Sequence, residues 1–107
     1  MLLTLVSVEK LQLPVCINSQ QVCMELDTAT GGNFLSKEVW NQLGRPDLRK
    51  SSLKFQCSTK HVLPVLGTFV AQTSLEAEGN ALPILYTVTK IPNLNLLGRS
   101  AIATLQI

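Results

Sequence analysis

The chain has 107 residues, 46% of them hydrophobic and 15% charged. That suits a single domain over residues 1–107 and is too apolar for a disordered region. The net charge of +2 comes from scattered Lys and Arg, without the dense basic stripe and stacking aromatics that nucleic-acid binding uses. Two aspartates (Asp27, Asp47) and one histidine (His61) exclude a His-rich metal site and leave few candidates for acid–base chemistry.

The elements follow as short apolar runs. Residues 2–8 form the first predicted strand. Residues 11–17 and 21–27, joined by Asn18-Ser19-Gln20, predict a hairpin. In its second arm Val22, Met24 and Leu26 alternate with Cys23, Glu25 and Asp27, a period of two. Thr30-Gly31-Gly32-Asn33 breaks the chain and Phe34-Leu35 resumes it. A helix is predicted over 36–43, capped by the Ser36 hydroxyl and stopped by Gly44 and Pro46, with Val39, Trp40 and Leu43 on one face. Residues 53–58 and 62–66 predict two strands around Thr59-Lys60-His61, with Pro64 favouring an edge or irregular strand. Residues 68–77 and 81–89 predict a further hairpin around Glu78-Gly79-Asn80. A run over 94–97, a short helix from Arg99 and a last strand near 103–107 complete the pattern. The expected fold is all-β, a closed barrel or sandwich with one or two short helices.

Cys16, Cys23 and Cys57 are odd in number and form no CxxC, which favours a reducing, intracellular compartment. Cys16 and Cys23 either face each other across the hairpin or serve as packing thiols. No apolar run reaches the roughly 18 residues of a membrane span, so no membrane partner is expected.

The most informative stretch is Met24-Glu25-Leu26-Asp27-Thr28-Ala29-Thr30-Gly31-Gly32-Asn33-Phe34-Leu35. An apolar strand ends at an aspartate, then small and hydroxylated residues lead through two glycines to a second apolar pair. A strand-to-loop junction can hold a carboxylate rigidly and still leave it accessible, although an aspartate there can also simply start a turn.

This stretch resembles the active-site loop of retropepsin-like aspartic proteases of retroviruses and gypsy-type retrotransposons. Val62-Leu63-Pro64-Val65-Leu66-Gly67 resembles the returning arm of the family's flap. Asn95-Leu96-Leu97-Gly98-Arg99 resembles its apolar-apolar-Gly-Arg signature. The resemblance implies a single-lobe acid-protease barrel with a flap hairpin, active as a homodimer and without cofactor or metal. It places Asp27, Thr28 and Ala29 in the catalytic loop. Substrate contacts fall to Thr30, Gly31, Ser58, Thr59, Lys60, His61, Val62, Leu96 and Leu97, the two leucines walling the cleft or packing beneath it. Gly98 and Arg99 are structural. Two carboxylates must face one water in this chemistry. Asp47 lies in a solvated loop beside Pro46, so a second copy of Asp27 is the simplest source of the other carboxylate.

Three positions depart from the family pattern. Ala29 stands where Gly is usual, Lys60 where a flap-tip Gly is usual, and Gly31-Gly32 where viral members often place an acidic partner for the Arg of the Gly-Arg motif. The implied function is maturation of a Gag-Pol-type retroelement polyprotein, in the cytoplasm or in retroelement particles, or a host-domesticated descendant of that activity. The alternative is an inactive dimerisation or peptide-binding module of the same fold. A thiol hydrolase using Cys57 or Cys23 with His61 lacks any evident third group to orient the imidazole.

Overall fold

A computed structural model of the chain describes residues 11–50, 64–76 and 79–107. Its elements are β1 (Gln12–Ile17), β2 (Gln20–Leu26), β3 (Phe34–Ser36), α1 (Lys37–Gln42), β4 (Val65–Ser74), β5 (Leu82–Thr89), β6 (Leu96–Leu97) and α2 (Arg99–Leu105). The strands close into a barrel in the order β1-β2-β6-β3-β5-β4.

The β1–β2 hairpin turns on Asn18 and Ser19, both at positive φ (48° and 70°), the backbone that matches strand twist in a two-residue loop. Gln20 belongs to β2, so the turn is one residue tighter than the sequence suggests. Asn18 also ties the turn to β4: its N–H donates to the Gln72 carbonyl (2.8 Å) and its Oδ1 accepts from the Gln72 N–H (3.0 Å). Val15, Ile17, Val22 and Met24 point inward and are buried, as period-two alternation requires. Cys16 lies opposite Gln21, and Cys23 opposite Pro14. The two cysteines therefore do not face each other, and both are free thiols.

The short helix forms as its capping residue predicts. Ser36 Oγ accepts from the Val39 N–H (3.3 Å), Gly44 follows the helix at φ 89°, and Leu43 is buried in the core. Trp40 donates from Nε1 to the Pro46 carbonyl (2.9 Å), which folds the segment after the helix back onto it.

Two expectations are corrected. No break separates the strands expected over 62–66 and 68–77: within the described residues β4 runs continuously over Val65–Ser74, with a register shift between Val65 and Gly67. Gly67 absorbs the irregularity because a Cβ there would lie 2.8 Å from both the Arg49 carbonyl and Leu48 Cβ. Pro64 precedes the strand and needs no ladder donor. The last strand expected near 103–107 does not form, because α2 runs through Leu105. Ala101 and Leu105, four apart on one helix face, are both buried. The strands expected over 2–8 and 53–58 lie outside the described residues. Among the described residues no helix is long and apolar enough to cross a membrane.

β6 positions the site. It is only two residues long, yet it fills the gap between β2 and β3, parallel to the first and antiparallel to the second. Leu97 is fully buried in the core beside Leu35 and Met24. Burial of side chains this size contributes about 1.5–3 kcal/mol each.

Candidate active site

Asp27 is the first residue past β2. Its N–H donates to the Leu97 carbonyl (3.0 Å), extending the β2–β6 pairing onto the aspartate itself. The side chain is half-exposed, and its Oδ1 accepts from the Ala29 N–H (2.9 Å). That local bond fixes the carboxylate's direction, as Asx turns do. One oxygen is held by backbone and the carboxylate stays reachable from solvent.

The loop from Thr28 to Asn33 is built the same way. Thr30 Oγ1 accepts from the Gly32 N–H (3.3 Å), and the Thr30 carbonyl accepts from the Arg99 N–H (2.8 Å). Ser100 Oγ donates to the Gly31 carbonyl (3.1 Å). Thr28 and Ala29 are exposed. Positive φ among the described non-glycine residues occurs at Asn18, Ser19, Arg45, Asn93 and Gln106 and not at Ala29. The alanine methyl therefore carries no backbone strain where the family usually has glycine.

The loop and the start of α2 touch closely at Gly98. A Cβ there would overlap the Gly32 carbonyl and lie 2.6 Å from that of Thr30. Only glycine lets these backbones meet.

Of the residues expected to contact substrate, Thr30, Gly31 and Leu96 stand at this end of the barrel, Leu96 half-buried and Gly31 exposed. Leu97 packs beneath the loop and does not line it, because its place in β6 turns it into the core. Ser58, Thr59, Lys60, His61 and Val62 lie outside the described residues, as does Cys57. Arg99 is exposed, and Asp47 is an exposed loop residue.

Two asparagines matter here that sequence reasoning did not single out. Asn33 is buried, with 6% of its surface exposed. Its Oδ1 accepts from the Gly98 N–H (2.9 Å), and its Nδ2 donates to the Leu85 carbonyl (3.1 Å) and to Ser100 Oγ (3.4 Å). Asn95 Oδ1 accepts from the Ser36 N–H (2.9 Å), and its carbonyl accepts from the Glu25 N–H (2.9 Å). The available signal was a polar residue directly before each apolar pair, Phe34-Leu35 and Leu96-Leu97.

No protein-family model matches the sequence, and no curated protein matches it. Solved structures do. EIAV protease in complex with the inhibitor HBY-793 is similar at a TM-score of 0.71 and 19% identity, covering 97% of this chain and 95% of that one. The retroviral protease-like domain of Ddi1 from Leishmania major gives 0.69 and 16% identity, over 96% of this chain and 78% of that one. A retropepsin-like aspartic protease from Rickettsia conorii gives 0.68 and 16%, over 88% and 78%. The chain has the retropepsin-like aspartic protease fold.

Proposed function

We propose that this chain is one half of an aspartic endopeptidase, a homodimer in which Asp27 of each subunit faces a shared water. The observation that carries the reading is Asp27 itself: a half-exposed carboxylate, oriented by the Ala29 N–H, at the end of a strand in a barrel of this fold.

Two carboxylates this close share one proton, because both cannot ionise together. The ionised member takes a proton from water as the oxygen attacks the scissile carbonyl carbon. The protonated member donates a hydrogen bond to the carbonyl oxygen. A proton then passes to the amide nitrogen, the C–N bond breaks, and an acid and an amine leave. Thr28 would interlock the two loops through its hydroxyl. An extended peptide binds as an added strand, with side-chain pockets setting preference. The substrate class is a Gag-Pol-type polyprotein with apolar residues flanking the cut, and the setting is intracellular.

The test compares wild type with Asp27→Asn on an apolar peptide library at about pH 5–7, with pepstatin as a control. Hydrolysis should fall by at least ~10³-fold in the variant. Equal cleavage by the two proteins would sink the reading. A wild-type dimer that binds peptides and cleaves none would assign the chain to the binding-module alternative.

A further inference from the structure

Arg99 belongs to the Gly-Arg signature, but Gly31 and Gly32 stand where an acidic partner for it would be expected. Its backbone is fixed, since its N–H donates to the Thr30 carbonyl. Its side chain is exposed and leans over the active-site loop: a Cβ on Gly31 would lie 3.5 Å from Arg99 Nη2. Gly31 is itself pinned to α2 by the Ser100 hydroxyl. Between Thr28 and Asn33 the loop carries no acidic side chain to pair with it. Nor does the charge serve the helix. Arg99 opens α2, whose first turn has no acidic residue, and a cation at that end opposes the helix dipole.

We propose that Arg99 is a specificity residue that anchors an acidic side chain of the peptide substrate near the scissile bond. This rests on the proteolytic reading above. Gly31 follows Asp27 by four residues, and a chain spans at most about 3.3–3.6 Å per residue, so the two lie within about 14 Å. An extended substrate covers that distance in roughly four residues. The guanidinium offers a planar fork that takes a carboxylate through two N–H donors. Gly31, having no side chain, leaves the space open for it.

The experiment uses peptide pairs differing only as Glu or Gln, with the position scanned over the four residues on either side of the cut. Cleavage is measured on wild type, and binding by fluorescence anisotropy on Asp27→Asn, at about pH 6–7 where Glu is ionised. At one position the Glu peptide should bind and be cleaved about 3- to 10-fold better. The preference should shrink as salt rises.

Arg99→Gln should abolish it by removing the cation. Gly31→Asp should abolish it by supplying an internal carboxylate, and it decides the matter if Arg99→Gln folds poorly. Indistinguishable Glu and Gln peptides, or a preference that survives both variants, overturns the anchor while cleavage itself stands. An Arg99-dependent binding preference without any Asp27-dependent cleavage keeps the anchor and removes the proteolytic reading. Absence of both binding and cleavage for every peptide overturns both.

Discussion

The phenol of Tyr86 shows what burial does to a single ionisable group. The side chain is fully buried, and its hydroxyl meets Thr73 Oγ1 at 2.8 Å. Burial pushes its pKa up to about 12, and the Thr73 hydrogen bond pulls weakly the other way. The unfolded chain ionises this group near 10. Between these values the unfolded state has lost the proton that the folded state keeps. The associated stability is therefore fully present below about pH 10 and is lost as pH rises through about 12, by up to roughly 2–3 kcal/mol. Urea midpoints from about pH 8 to 12 should fall more steeply for wild type than for Tyr86→Phe. Parallel curves would contradict this. The position is hard to foresee from sequence, because Tyr86 sits in an apolar run where any large side chain fits.

At the scale of elements, β6 and the Asp27 loop depend on the two asparagines. Removing the Asn33 amide leaves the Gly98 N–H and the Leu85 carbonyl without their buried partner. Asn33→Ala should cost about 2–4 kcal/mol of stability, read as a shift in denaturant midpoint. A change within about 0.5 kcal/mol would mean the loop is held elsewhere. The hairpin and the Ser36-capped helix were legible in the sequence because each rests on local chemistry: turn residues, a cap, a glycine stop. The Asn33 and Asn95 clamps were not, since their partners lie far away in sequence. The strand expected near 103–107 failed for a related reason. A short apolar run with alanines has no decisive period, and contacts of Ala101 and Leu105 with the barrel chose the helix.

At the scale of the whole molecule, the proposed proteolysis would make assembly part of the chemistry, because each chain offers a single suitable carboxylate. Specific activity should fall on dilution, with a midpoint that matches the dimer dissociation seen by sedimentation. Activity per chain that stays constant well below that midpoint would rule out a shared site. The closed all-β architecture was readable from the strand spacing. The insertion of β6 between β2 and β3 was not, because no local pattern says which strands a two-residue segment will join.

That insertion also sets a schedule. Leu97 holds the Asp27 backbone, yet β3, α1, β4 and β5 all lie between them in the chain. A polypeptide still emerging from the ribosome can form the β1–β2 hairpin early, but it has nothing to brace the aspartate until β6 has been made. The Asp27 junction is thus completed only after most of the barrel has been made, so its formation waits on a contact between segments far apart in sequence.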